Sequence, residues 1–475
     1  MSLPRNAPVL SRDLPAMEHY DLVILGAGSG NSLVTDEMNG WRIAIVERAE
    51  FGGTCLNRGC IPTKMYVHAA DVAHDAAHAG GRLGVSTAFL DADWPAIVRR
   101  TFGRIDPIAA GGEAYRRGLE HVTVYAGDAR FVGHKTLEVD GQRFTGDRIV
   151  IAVGGRPMIP DLPGLSEVAF HTSDTVMRLA ERPERMVILG GGFIACEFAH
   201  VFASFGTEVT MINRGPFLLK AEDADISRRF TELMAQRVHL RTGSRIERIS
   251  PAGSGSVAVD LVSMYGPERV EADALLVATG RVLNGDTLDV EATGLQLGAD
   301  GEVPVDEFGR TAVDGIWALG DCNGRYQLKH MANGEARVVA HNLVHPDDPR
   351  RFEHRPAPHA VFSSPQVASV GLTEEQAMEA DVDFVAITHQ YASAAWGWAL
   401  EDRSSFVKLL GDPSTGTLLG AHVIGPQAST LISLLVQGMY LGNTVREMAR
   451  DVVYIHPAPS EVVEQALIEL DLRMN

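Results

Sequence analysis

Two apolar runs that each end abruptly in a cluster of glycines constrain this chain more than any other feature. Tyr20 to Leu25 (YDLVIL) is followed at once by Gly26-Ala27-Gly28-Ser29-Gly30-Asn31, and Met186 to Leu189 by Gly190-Gly191-Gly192-Phe193-Ile194-Ala195. A further apolar run follows each: Ile43 to Val46, ending in Glu47, and Glu208 to Ile212, ending in Asn213. Strand, glycine turn, helix, strand is a dinucleotide-binding arrangement. Gly26, Gly28, Ser29 and Gly30 let backbone amides approach a pyrophosphate at a helix N-terminus, and Glu47 can accept both ribose hydroxyls. Asn31 stands at the usual third glycine, which predicts looser helix-to-strand packing. In the second unit Gly190, Gly192 and Ala195 form the turn. Asn213 replaces the carboxylate, and Arg214 and Lys220 follow it, so a 2'-phosphate fits better than a free ribose hydroxyl. NADPH is expected over NADH; the plainer reading of Arg214 and Lys220 is solvated surface charge. Two such units imply two dinucleotides, commonly one flavin and one nicotinamide.

Between the units lies Gly52-Gly53-Thr54-Cys55-Leu56-Asn57-Arg58-Gly59-Cys60-Ile61-Pro62-Thr63-Lys64. Two cysteines separated by four residues can close a small ring if the backbone turns, and Gly59 is expected to supply that turn. Pro62 suits the first position of a helix, and Thr63 to Ala79 holds no further breaker. Cys60 then sits at the positive end of a helix dipole, and Lys64 comes round to the same face. A thiol pair, a dipole and a fixed cation in one turn point to a dithiol that opens and closes. The plainer alternative is a structural disulfide or two packed thiols.

The chain has 475 residues, 45% apolar, with a net charge of -19. That length and apolar content support several domains, and the charge repels nucleic-acid phosphates and anionic lipid. No run of eighteen apolar residues occurs, and Met1 to Ala16 has no apolar core, so neither a membrane span nor a secretory signal is expected. The cell interior, the cytoplasm, is the expected location, where cysteine pairs are more often catalytic or metal-bound than structural. Cys196 and Cys322 are isolated, so a zinc site is not expected and both read as packing.

Further along, Ile149 to Arg156 and Ala274 to Arg281, which contains Gly280, repeat one strand-to-glycine pattern. Gly315 to Asp321 is a strand closing on an aspartate that could hold a flavin ribityl hydroxyl; alone, such an Asp is more often a turn residue. The Trp396-Gly397-Trp398 segment reads as an aromatic loop. The C-terminus carries Tyr454-Ile455-His456-Pro457-Ala458-Pro459-Ser460-Glu461 and then an amphipathic helix. Ser460 is expected to cap that helix, the prolines to keep His456 outside it, and Glu461 to orient the imidazole. Taken alone, His456 reads as a core histidine and Glu461 as a dipole carboxylate. The expected division is a disordered extension over 1–17, a first flavin segment over 18–159, an NADPH segment over 160–283, a second flavin segment over 284–350 and an interface domain over 351–475.

These motifs, GAGSG, GGTCLNRGCIPTK, GGGFIACE, VATGR, ALGDC, SVGLTEEQA and HPAPSE, run in the order found in the pyridine nucleotide-disulfide oxidoreductases, the family of glutathione reductase and dihydrolipoamide dehydrogenase, which the chain resembles from Glu18 to Leu472. The resemblance implies an α/β fold of two Rossmann-like domains, for FAD and NAD(P)H, with a C-terminal α+β dimerisation domain. It implies a homodimer in which His456 and Glu461 complete the other subunit's site. It assigns Cys60 to the flavin side and Cys55 to interchange, pairs Lys64 with Glu197 near the flavin N5, sets Asp321 at the flavin chain, and places Gly53 and Thr54 among the cofactor-binding residues. Phe193 stands where several relatives have a Tyr, and Ala458 where many have a Thr. The tail lacks the extra cysteine pair of some relatives. Ser32 to Gly40 has no cation for substrate carboxylates, and Asn213 departs from the Glu normal in NAD-linked lipoamide enzymes. GSGNS, GCIPTKM, FGRIDPIA, LKHMANGEARVV and YIHPAPSEVVE are most similar to the branch that reduces mycothione, a small-molecule disulfide rich in sugar hydroxyls. Lipoamide or glutathione chemistry, and a redox sensor without turnover, are the alternatives.

Overall fold

The computed structural model describes residues 17–78, 80–353 and 355–475; Ala79 and all but Met17 of the expected N-terminal extension lie outside them. Its first sheet has seven strands. Val122–Ala126, Ile43–Glu47, Glu18–Leu25 and Gln142–Ile151 lie side by side in parallel, and the hairpin strands Thr136–Val139 and Ala129–Gly133 continue the sheet. Ile316–Ala318 returns from far along the chain to pair in parallel with Gln142–Ile151. The sheet is apolar on both faces because both are covered: Val23 and Leu25 enter one core, and Leu22 and Ile24 another.

The second nucleotide unit is a four-stranded parallel sheet, His239–Arg241, Glu208–Ile212, Arg185–Leu189 and Ala274–Val277. The two units use one backbone device. Gly26 (φ 102°) donates its amide to Val46, and Gly190 (φ 127°) donates to Ile212. A Cβ at Gly26 would lie 2.4 Å from the Ala152 carbonyl oxygen, and one at Gly190 2.3 Å from that of Ala278. Only glycine fits where one strand end crosses so close to another. A five-stranded antiparallel sheet, ordered His359–Val361, Val367–Gly371, Leu418–Ile424, Phe406–Gly411 and Val385–Gln390, forms the C-terminal domain.

Six helices frame the site: α1 (Gly53–Asn57), α2 (Cys60–His78), α3 (Trp94–Arg117), α4 (Phe193–Ser204), α5 (Lys329–Val344) and α6 (Ser460–Met474). Helices α2, α3 and α4 share one core with Val361, Val367, Phe406 and Ile424 of the C-terminal sheet, so the cysteine-bearing helix is packed against both neighbouring units.

Several local expectations are corrected. The first glycine turn opens no continuous helix, only 3₁₀ turns at Gly30–Leu33 and Asp36–Met38. Val34 and Thr35 between them are extended, as β-branched residues prefer. Arg116 of α3 donates to the Asn31 side chain and to the Asn31 carbonyl, both at 2.7 Å, occupying the acceptor that a continued helix would offer to the Thr35 amide. Helix α2 starts at Cys60, making Pro62 its third residue, where no intrahelical N–H is yet required. Gly59 is not left-handed; it is small because a Cβ would lie 2.9 Å from the Thr54 carbonyl oxygen. Ser460 is the first residue of α6 and makes no cap bond, Pro459 taking the cap position. The Trp396–Trp398 segment lies in a short helix, Ala395–Leu400, where a Cβ on Gly397 would meet the Tyr391 carbonyl oxygen at 1.9 Å.

The second nucleotide unit and the C-terminal domain are joined by a buried cation. Lys408, in Phe406–Gly411, donates to Asp223 (2.8 Å), Asp225 (2.8 Å) and Glu374 (2.6 Å). Asp223 is buried with it and caps the helix Ala224–Met234. Lys408→Met leaves that carboxylate without its ammonium and is expected to destabilise the protein by ~3–5 kcal/mol, read as a lowered urea midpoint. A midpoint unchanged from the wild type would contradict this role.

Candidate active site

The nucleotide turn and the dithiol segment are welded by two glycines. A Cβ on Gly53 (φ 62°) would lie 2.8 Å from Gly28 Cα, so α1 is held directly against the first glycine turn. A cavity opens above this junction, lined by Gly26, Gly28, Ser29, Glu47, Gly53, Thr54, Cys55, Cys60 and Asp321, with Phe193 and Ile194 reaching it from the second unit. Glu47 accepts from the amides of Ala27 (2.7 Å) and Ala49 (2.9 Å). Each carboxylate oxygen keeps a further lone pair for a ribose hydroxyl. The cavity therefore offers an acceptor at one end, a side-chain-free cradle in the middle and two thiols at the other, and these fit an elongated dinucleotide with a redox-active ring.

Cys55 and Cys60 are both free thiols, Cys55 half-buried and Cys60 more open. Their proton is unequally shared. The hydrogen bond from Cys55, reinforced by the Lys64 charge, draws Cys60 down to about 7. The same bond to Cys60, with burial, pushes Cys55 far above the usual thiol range. The reduced pair thus carries its thiolate on Cys60, the first residue of α2.

Lys64 donates to both oxygens of Glu197 at 2.6 Å, and its ammonium lies 4.5 Å from the Phe362 ring centroid. Glu197 is buried on α4 and also accepts from the Phe362 amide at 2.9 Å. Burial pushes its carboxyl up, and Lys64 and that amide pull it back. Asp321 is raised by burial, while the charges of Arg281 and Lys329 oppose the rise.

Other expected residues lie apart. Asn213 donates to the Gly215 (3.0 Å) and Phe217 (2.9 Å) carbonyls, organising the loop that carries the exposed Arg214 and Lys220. Its side chain lies over Gly191, where a Cβ would come within 2.7 Å of Asn213 Oδ1. Gly190, Gly192 and Ala195 belong to this second turn and Gly280, whose carbonyl accepts from the Met158 amide, to the link after Ala274–Val277; none of them lines the cavity. His456 Nδ1 is 2.7 Å from Glu461 Oε1, with Glu461 buried and the imidazole mostly exposed. Neither residue lines the cavity that holds Cys55 and Cys60 of the same chain.

Two contributors escaped the sequence reading. Glu335 on α5 is buried and accepts from the Gly320 amide (2.6 Å) and Asn323 (2.9 Å), fixing the turn that presents Asp321. Lys329, the first residue of α5, lines the cavity and donates to Ser29 Oγ at 2.8 Å. A carboxylate within the small-residue run Ala332-Asn333-Gly334-Glu335-Ala336 was the available signal for Glu335; only the fold brings Lys329 to Ser29.

This geometry defines a dinucleotide-dependent thiol–disulfide oxidoreductase. The family model for pyridine nucleotide-disulphide oxidoreductases matches residues 20–336, and that for their dimerisation domain residues 357–467. The chain belongs to this family, and it uses FAD and a nicotinamide dinucleotide. It is 48% identical over 464 residues to the mycothione reductase of Mycobacterium tuberculosis, covering 96% of this chain and all of that one. It is 31% identical to the dihydrolipoyl dehydrogenase of Mycobacterium leprae, over 94% of this chain and 97% of that protein. Among solved structures, the HOCl-induced flavoprotein disulfide reductase RclA of Escherichia coli aligns with a TM-score of 0.82 at 29% identity, covering 95% of this chain and 99% of that one. Among the described residues no helix is long and apolar enough to cross a membrane.

In the reduced protein, alkylation of Cys60 by iodoacetamide is expected to rise with pH through a midpoint near about 7, since only the thiolate reacts. Cys55→Ala removes the first cause of the low value and should move the midpoint upward. An unchanged midpoint would contradict the unequal sharing of the proton.

Proposed function

We propose that this protein reduces mycothione to mycothiol with NADPH, as a cytoplasmic homodimer that maintains the thiol pool. The observation that carries the reading is the asymmetric dithiol at the end of the cavity, set in a chain 48% identical to a mycothione reductase. Ser32 to Gly40 supplies no Lys or Arg, while Asp36 and Glu37 are acidic, which suits a disulfide without peptide carboxylates. The absence of a carboxylate at Asn213, with Arg214 and Lys220 exposed on its loop, supports NADPH over NADH. A single cysteine pair placed for exchange, with the other two cysteines buried singly, supports a reducing compartment. The division of the chain at 18–159, 160–283, 284–350 and 351–475 is part of the same reading.

FAD, when bound, accepts reducing equivalents from NADPH and delivers an electron pair to the Cys55–Cys60 disulfide. The remaining work falls to side chains. Cys60 keeps the thiolate, favoured by Lys64, while Cys55 keeps the proton. Cys55 therefore needs a base before it can attack. His456 of the partner subunit suits this task, because Glu461 takes Nδ1–H and leaves Nε2 free. Cys55 Sγ attacks one sulfur of mycothione, and the first mycothiol leaves with the proton that the imidazole took from Cys55. The Cys60 thiolate then attacks Cys55 Sγ, re-forming the protein disulfide and releasing the second mycothiol, which takes a proton from solvent. Val452, Val453 and Ile455 are well exposed beside His456 and offer the apolar surface that a second subunit would cover.

NADPH oxidation measured side by side with mycothione, oxidised glutathione and lipoamide tests the reading. Fast turnover with mycothione and little with the others is expected. Preference for glutathione or lipoamide would overturn the substrate assignment.

A further inference from the structure

The cavity collects five basic side chains, and four have settled partners. Arg48 lies 3.7 Å from Asp128, Arg58 pairs with Glu50, Arg156 is 2.8 Å from Asp286, and Arg281 donates to the Gly155 carbonyl at 2.6 Å. Lys329 differs. Its ammonium donates to the neutral Ser29 hydroxyl at 2.8 Å and forms no ion pair among the described residues. A half-buried ammonium held on a hydroxyl instead of a carboxylate keeps its full charge available to an anion.

Its position identifies that anion. Ser29 belongs to the first glycine turn, and Gly28 beside it is in contact with Gly53 at the start of α1. A dinucleotide lying between Glu47 and the thiols carries its diphosphate over this junction. In dinucleotide folds much of that charge is met by the dipole of the helix after the turn. Here that helix is replaced by a four-residue 3₁₀ turn, ended where Arg116 takes the Asn31 carbonyl. The dipole is correspondingly short. We propose that Lys329 is the residue that neutralises the FAD diphosphate in this protein, standing in for the missing first helix. Its ammonium comes from α5, the helix whose Glu335 fixes the Asp321 turn, so one helix serves both the diphosphate and ribityl stretches. The charge of Lys329 also reaches Cys55 and Asp321.

The inference rests on FAD binding and is tested on the holoenzyme by serial dilution, following released flavin by its fluorescence. Lys329→Met is expected to raise the FAD dissociation constant roughly ten- to hundredfold, the worth of one charge-assisted contact. Lys329→Arg, which keeps the charge, should restore most of the affinity, separating lost charge from a damaged fold. The inhibition constant of free ADP, which carries the diphosphate without the flavin, should rise in the Met variant by a factor similar to that for FAD. An FAD dissociation constant unchanged in Lys329→Met would overturn the proposal. A wild-type protein that retains no flavin would remove the FAD reading itself.

Discussion

The site depends first on the contact between the half-buried Lys64 and the buried Glu197. It joins the helix that carries Cys60 to the helix that opens the second nucleotide unit, and the Phe362 amide ties the same carboxylate to the C-terminal domain. Three segments far apart in the chain thus converge on one carboxyl group. Burial of Glu197 is unfavourable by itself, and the ammonium and amide offset it only in this arrangement. Because the cation is fixed by Glu197, it stands at a constant distance from the Cys60 sulfur. The preference for a thiolate on Cys60 follows from that fixed charge and from the Cys55 hydrogen bond.

The rest of the active region is organised by close approach. Gly26, Gly53 and Gly190 each stand where a side chain would strike a neighbouring backbone. What these glycines provide is contact between main chains, and the cavity is the space their missing side chains leave. Charge is then added at chosen points: Glu47 at the ribose end, Asp321 and Lys329 in the middle, and the Cys60 thiolate with Lys64 at the reactive end. The imidazole proposed as the base is absent from this inventory within one chain. His456 is held firmly by Glu461 but faces outward among exposed apolar residues, the arrangement expected if a second copy of the chain carries it to the dithiol.

Much of this was legible in the amino-acid sequence because it is encoded locally. Apolar runs ending in glycine predicted both parallel sheets, and the spacing of Cys55, Cys60 and Lys64 predicted their convergence at one helix start. The His456–Glu461 bond was one of two readings of that segment, which taken alone read as a core histidine and a dipole carboxylate. What escaped was set by distant partners. The turn after Gly30 looked helical until Arg116, from α3, took the Asn31 carbonyl. Lys329 reads as an ordinary helix-start lysine, since Ser29 lies three hundred residues earlier. Lys408 stands between apolar neighbours in a strand, and the three carboxylates that hold it come from two other segments, so only the fold explains it. Local pattern specified the elements and the chemistry of each motif; the electrostatic partners required the fold.

The central claim is that Cys55 and Cys60 form a second redox centre in electronic contact with the flavin. Reductive titration of the oxidised, flavin-loaded protein with dithionite tests it most directly. The account predicts that the wild type takes up two electron pairs per subunit, one for the flavin and one for the disulfide, and that Cys60→Ser takes up one. Uptake of a single pair by the wild type would contradict it.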